Sequence, residues 1–143
     1  MTAQQPTYVN SHVLEELLKD KTKVPRKDYL IIDVRDADYI GGHIPGCLNI
    51  PAHDLPDQLP QLIEEYKNVP QLFFHCALSQ VRGPKAANRW SQAVSVAAET
   101  AATPAPAQKI NILRGGFGAW QRKHKDNREL VEDYEEEYWT EDF

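Results

Sequence analysis

Phe73-Phe74-His75-Cys76-Ala77-Leu78-Ser79-Gln80-Val81-Arg82-Gly83-Pro84 is the stretch that decides the fold. Leu72-Phe73-Phe74 reads as a short buried strand, and Gly83-Pro84 as a helix start, where the proline's missing N–H costs nothing. Ala86, Ala87, Trp90, Ala93 and Val94 then recur at helical spacing. Cys76 therefore falls at a strand-to-helix turn, where α/β folds place their ligands. A loop of seven residues, Cys76 to Arg82, can curl its backbone N–H groups inward, and the helix N-terminus adds partial positive charge. Both effects favour thiolate over thiol. Arg82 brings a planar fork of donors that matches two oxygens of a bound anion. Cys76 and Arg82 are thus the candidate catalytic residues, with Ala77, Leu78, Ser79, Gln80, Val81 and Arg82 as the substrate-binding loop. The spacing alone is cheap, and a buried structural cysteine beside a solvated arginine is the bland alternative. The flanking strand and helix argue against it.

Further short apolar runs lie on either side. Tyr29-Leu30-Ile31-Ile32-Asp33-Val34, Cys47-Leu48-Asn49-Ile50, Gln71-Leu72-Phe73-Phe74-His75 and Ile110-Asn111-Ile112-Leu113 read as strands of a parallel sheet, and Thr7-Tyr8-Val9 adds a fifth. Helical patterns alternate with them. Ser11 is a candidate cap for a helix with Val13, Leu14, Leu17 and Leu18 on one face. Leu59, Leu62, Ile63 and Tyr66 form another, expected to start near Pro60. The alternation predicts an α/β fold with a central parallel sheet of about five strands and helices on both faces. Residues 95–108, rich in Ala, Thr and Pro, are expected to fray from the third helix into a surface loop.

At 143 residues the chain is of single-domain size, with a hydrophobic fraction of 41% and a charged fraction of 26%. No apolar run reaches the ~20 residues that span a bilayer. Two cysteines, Cys47 and Cys76, are too few for a disulfide framework and fit a reducing compartment, so a cytoplasmic or nuclear address is expected. The net charge is −5, yet residues 132–143 hold seven acidic side chains and no Lys or Arg. The remainder is therefore net +2, which suits an anionic substrate. Residues 1–131 are expected to form the catalytic domain and 132–143 an acidic tail, read either as a solvated terminus or as partly docked on the body through Tyr134, Tyr138 and Trp139. Basic residues are scattered, with no nucleic-acid motif. The histidines and cysteines lack metal-ligand spacing, so neither a metal nor an organic cofactor is expected. Monomer is the default state.

With these elements placed, the chain resembles a single rhodanese-like domain of the branch that contains Cdc25 phosphatases and Acr2-type arsenate reductases. Asp33-Val34-Arg35, Gly41-Gly42-His43-Ile44-Pro45-Gly46 with Asn49-Ile50-Pro51, and Leu113-Arg114-Gly115-Gly116-Phe117 with Trp120 carry the resemblance beyond the loop. His75 to Arg82 is similar to the loop of small Cdc25-like proteins of fungi and plants. Ordinary rhodaneses use a loop one residue shorter, sized for a transferred sulfur. The longer loop favours phosphate or arsenate.

The resemblance implies a phosphatase in which Cys76 forms a thiophosphate that water hydrolyses. The loop amides and Arg82 would hold the equatorial oxygens, and Ser79 would assist release. Larger Cdc25 phosphatases carry acidic residues inside this loop, whereas Ala77, Gln80 and Val81 are uncharged here. A preference for aryl phosphates follows, because a phenolate leaves without a proton donor. Asp36 and Asp38 are possible donors that the sequence alone does not place. Arsenate reduction is the alternative, with glutathione or glutaredoxin as co-reductant. Sulfur transfer and a non-catalytic binding module rank lower. His75, His43 and the Asp33/Arg35 pair read as structural, the pair as an anchor for the strand end beside the loop. Cys47 reads as core rather than as a resolving thiol.

Overall fold

The computed structural model describes residues 5–103 and 105–140. Pro104, within the Ala/Thr/Pro-rich segment, and residues 141–143 of the acidic segment lie outside the described residues, as do residues 1–4. The elements run β1 (Thr7–Val9), α1 (Ser11–Lys19), β2 (Leu30–Asp33), β3 (Leu48–Asn49), α2 (Leu55–Tyr66), β4 (Gln71–His75), α3 (Arg82–Thr100), β5 (Lys109–Leu113), α4 (Gly116–His124) and α5 (Glu136–Thr140). The strands form one parallel sheet in the order β1-β5-β4-β2-β3. All five expected strands are present.

Alternate residues of the central strands feed two cores, because successive side chains of a strand point to opposite faces. Leu30, Ile32, Leu72, Phe74, Ile110 and Ile112 pack with α2 and α3, with Trp90 fully buried among them. Tyr29, Ile31, Phe73 and Leu113 pack with α1 and α4 on the other face, around Leu14, Phe117 and Trp120. Each buried aromatic or branched side chain contributes about 1.5–3 kcal/mol of transfer free energy, so strands buried on both faces become continuous apolar runs. A single polar side chain joins the loops under α3. Gln108 accepts from Trp90 Nε1 at 3.0 Å and donates to the carbonyls of Tyr66 and Val69 at 2.9 and 3.0 Å.

Three helix boundaries differ from the sequence-based expectation. Ser11 is the first helical residue of α1, and Asn10 stands at the cap without a side-chain capping bond, its Oδ1 accepting instead from Arg114 Nε at 3.1 Å. Helix α2 begins at Leu55 rather than near Pro60, because Pro56 already supplies the proline of the first turn. Pro60 then lies inside the helix, at the loss of one backbone hydrogen bond. Helix α3 continues to Thr100, the alanines after Ser95 sustaining it where fraying was expected.

Strand β4 is central, between β5 and β2. From β2 the chain moves outward to β3, then crosses back to β4 and continues to β5. The direction reverses between β2 and β4, and the crevice beyond their carboxyl ends is where open α/β sheets bind ligands.

Candidate active site

The loop after β4 and the loop after β2 meet in that crevice. Cys76 is 3% exposed, and the Gly83 N–H, at the start of α3, points at its Sγ from 3.4 Å. Gly83 is closely packed: a Cβ there would stand 3.2 Å from the His75 Cα, so the β4 backbone would have to yield.

The loop is seated from outside. Phe117 N donates to the Cys76 carbonyl at 2.9 Å and Gly118 N to the Ala77 carbonyl at 2.8 Å, so the first turn of α4 holds both. Tyr8 of β1 donates its hydroxyl to the Ser79 carbonyl at 2.9 Å. In a trans peptide the N–H of the next residue points opposite to the carbonyl. The N–H groups of Ala77, Leu78 and Gln80 are thereby turned away from α4 and Tyr8, toward the mouth of the loop. Among the described residues, no acceptor is present for any N–H from Ala77 to Val81. Ser79 holds a left-handed φ of 55°, which bends the loop, and its buried hydroxyl has no hydrogen-bond partner. The seat requires Gly116. Its φ is 59°, and a Cβ there would approach the Cys76 and Ala77 carbonyl oxygens to 2.6 Å.

Arg82 is committed to Asp38. Its Nη1 and Nη2 donate to Asp38 Oδ1 and Oδ2 at 3.0 and 2.7 Å, and Asp36 lies 3.8 Å away. The Asp38 carboxylate is thus the fork's present oxyanion. Hydrogen bonds from Arg82 hold the Asp38 carboxyl below its usual range, and the same bonds hold the guanidinium in its charged form. Both side chains are about one-third exposed, so water screens the pair.

Asp33 and Arg35 form the anchor expected from the sequence. Both are fully buried. Arg35 Nη2 donates to Asp33 Oδ2 at 2.6 Å, and its Nε to Asp33 Oδ1 at 3.0 Å. The remaining donors reach the carbonyls of Gly42 at 2.9 Å and Asp38 at 3.2 Å. The guanidinium lies against the ring of Phe117, 4.3 Å from its centroid. One side chain thereby ties the end of β2, the Asp38 segment and the first turn of α4 together. Asn49 completes the junction by donating to the Asp33 and Arg35 carbonyls at 3.0 and 2.9 Å.

The other sequence candidates are supporting groups. His75 is fully buried, and burial pushes its pKa down, so the imidazole is neutral; its Nδ1 lies 3.1 Å from the Cys76 carbonyl oxygen. His43 bridges to Glu132 by two backbone hydrogen bonds and by Nε2 at 3.0 Å from Oε1. Cys47 packs on the α1/α4 face while Cys76 packs on the α2/α3 face, so the sheet lies between the thiols. Burial pushes the Cys47 thiol up to about 12. Among the described residues, no group of three or more His, Cys, Asp or Glu is arranged to hold a metal ion, and no helix is long and apolar enough to cross a membrane.

The Asp38–Arg82 pair, the Tyr8 contact and the α4 seat were not assigned from the sequence. For the seat, the signal was Gly115-Gly116, where both residues take a positive φ.

Asp38→Asn is expected to tighten inorganic phosphate binding by up to about tenfold, because the anion no longer competes with a carboxylate for Arg82. Calorimetric titration would check this, and unchanged affinity would mean that the pair does not guard the loop. The pH dependence has a defined sign. Asp38's folded-state pKa is lowered, so the stability it contributes is present above its ordinary value of 3.8 and is lost as pH falls through the folded value.

The rhodanese-like domain model matches residues 12–123. The chain is 34% identical to the dual specificity phosphatase ibp1 of Schizosaccharomyces pombe, over 85% of this chain and 96% of that protein. It is 33% identical to arsenate reductase 2.2 of Oryza sativa subsp. japonica, over 83% and 85% of the two chains. A crystal structure of Saccharomyces cerevisiae Ygr203w, described as a homolog of single-domain rhodanese and the Cdc25 phosphatase catalytic domain, superposes with a TM-score of 0.76 at 26% identity, covering 96% of this chain and 93% of that one. The chain therefore belongs to the rhodanese-like domain family, in the branch whose members are named as Cdc25-like phosphatases and arsenate reductases.

Proposed function

We propose that the chain is a cysteine-dependent phosphatase whose preferred substrates are aryl phosphates, phosphotyrosine foremost. One observation carries this reading. A run of N–H groups without acceptors, Ala77 to Val81, spans from a buried sulfur to a guanidinium fork. Such a ring is a receptor for a tetrahedral anion.

In this reading the phosphoryl oxygens settle on the loop amides and on Arg82, displacing Asp38. Cys76 attacks phosphorus in line with the leaving oxygen. The S–P bond forms as the P–O bond breaks, and the electron pair departs on the phenolate. Water then attacks phosphorus and sulfur leaves as thiolate, its charge met by the Gly83 N–H. Ser79, whose hydroxyl is otherwise unpartnered, donates to the departing sulfur. No loop side chain from Ala77 to Val81 is acidic, so the loop itself offers an alkyl leaving group no proton donor. The catalytic unit is assigned to residues 1–131, with 132–143 as an acidic tail that docks on it through Tyr134 and Trp139. The chemistry needs no metal or organic cofactor and is assigned to a monomer in the cytoplasm or nucleus.

Arsenate reduction is the second reading, favoured by the 33% identity to a protein named arsenate reductase. Arsenate offers the same four oxygens. Cys76 would form an S–As bond with loss of water. An external thiol such as glutathione, working with glutaredoxin, would then close a disulfide, and the two electrons released would reduce arsenic. Cys47 is on the wrong face to replace that thiol.

A side-by-side assay tests the choice. Phosphotyrosyl peptides and p-nitrophenyl phosphate are expected to turn over at least about tenfold faster than phosphothreonyl peptides, given leaving groups that differ by several pKa units. Sulfur transfer from thiosulfate to cyanide is expected to be negligible. Dominant sulfur transfer would overturn the reading, and arsenate reduction outpacing phosphate hydrolysis would put the second reading first.

A further inference from the structure

A cavity of about 680 Å³ opens beside the loop. Ala77 and Leu78 of the loop line it together with Asp38, the partner of Arg82, so the cavity borders the proposed reaction centre. Tyr138 and Trp139 form an aromatic wall. They are fixed in place: Trp139 Nε1 donates to the Gly41 carbonyl at 2.9 Å, and its ring meets Phe117 at a centroid distance of 5.8 Å. Leu78 is 55% exposed here, an apolar side chain facing aromatic ones.

The cavity also carries charge: Arg122 and Lys125 line it, three residues apart at the C-terminal end of α4 and hence on one face. Among the described residues neither has a carboxylate partner, whereas Lys123 between them is paired with Glu15 at 2.9 Å. The guanidinium of Arg122 folds toward the loop, so that a Cβ on Gly118 would lie 3.9 Å from its Nη1 and 3.1 Å from the Ala77 carbonyl oxygen. The acidic side chain among the described lining residues is Asp38, set against Arg122 and Lys125, so their summed charge is positive whether Arg82 holds Asp38 or the substrate has displaced it.

We infer that this cavity is the leaving-group subsite and selects phosphotyrosyl peptides with an Asp or Glu next to the phosphotyrosine. The phenol ring lies between Leu78 and the Tyr138/Trp139 wall, and the neighbouring carboxylate meets Arg122 and Lys125. This rests on the phosphatase reading, and it adds to that reading the identity of the flanking residue.

Binding separates the two. In a Cys76→Ser background, which holds substrate without turnover, a phosphotyrosyl peptide flanked by glutamates is expected to bind about tenfold tighter than its glutamine counterpart, as two partly exposed ion pairs allow. Adding Arg122→Glu and Lys125→Glu is expected to bring that ratio to one or below, with an unchanged melting temperature. Equal affinities in the parent background, or an advantage surviving charge reversal, would overturn the inference. Equal affinities together with saturable glutathione binding would also overturn it, giving the cavity to a thiol tripeptide instead. Failure of the phosphatase reading looks different: the native chain turns over neither peptide while the tenfold binding ratio remains.

Discussion

Cys76→Ser is expected to lower turnover of p-nitrophenyl phosphate by at least about a thousandfold, in the range seen when a nucleophile is removed from an otherwise intact site. A serine hydroxyl at this position stays protonated at neutral pH and has no general base: His75 beside it turns Nδ1 toward the Cys76 carbonyl rather than toward the side chain. Phosphate binding is expected to persist, because the amides of Ala77 to Val81 and the Arg82 fork do not depend on the sulfur. The paired measurement is an initial rate and a calorimetric titration on the same preparation. A residual rate above about one per cent would place the nucleophile elsewhere, given the size of loss that removal of one entails. Loss of binding together with rate would mean that the sulfur also shapes the loop.

Arg35→Met is expected to be the most destabilising single change in the site region, by about 3–5 kcal/mol. The substitution leaves Asp33 fully buried with no cation and strands the Gly42 and Asp38 carbonyls. For a domain of this size the melting temperature would fall by roughly 10–15 °C. Urea unfolding checks it, and a shift below about 1 kcal/mol would contradict the geometry, being no more than a surface pair contributes. Adding Asp33→Leu to Arg35→Met is expected to recover part of the loss, since an apolar pair avoids the isolated buried charge. The double variant should still bind anions abnormally, because Arg35 fixes the backbone of Asp38, which in turn holds Arg82.

The sheet was legible because its strands are buried on both faces and so read as unbroken apolar runs, from Leu30 to Ile32 and from Leu72 to Phe74. The anion loop was legible because all its parts are local in sequence, from the end of β4 to the first turn of α3. Helix ends were less so. Pro60 fits a helix start as well as a tolerated interior proline, and only the packing of Leu55 decides between them. The Asp38–Arg82 pair joins residues 44 positions apart, and Asp36 was an equal candidate by composition. What separates the two aspartates is local geometry that composition does not show: Asp36 Oδ1 accepts from Ala37 N at 2.6 Å, while Arg35 holds the Asp38 carbonyl and leaves its carboxylate to Arg82. The α4 seat was hidden for a similar reason. Gly115-Gly116 announces a turn, but not which carbonyls that turn will hold.

The separation of Cys47 from Cys76 by the thickness of the sheet bears on how the protein meets peroxide. A sulfenic acid formed on Cys76 has no thiol within the chain with which to condense. Interception of the sulfenic acid as a mixed disulfide, before it advances to the sulfinic state, then falls to thiols arriving from solution. Recovery after an oxidative pulse is therefore set by the surrounding thiol pool rather than by the fold.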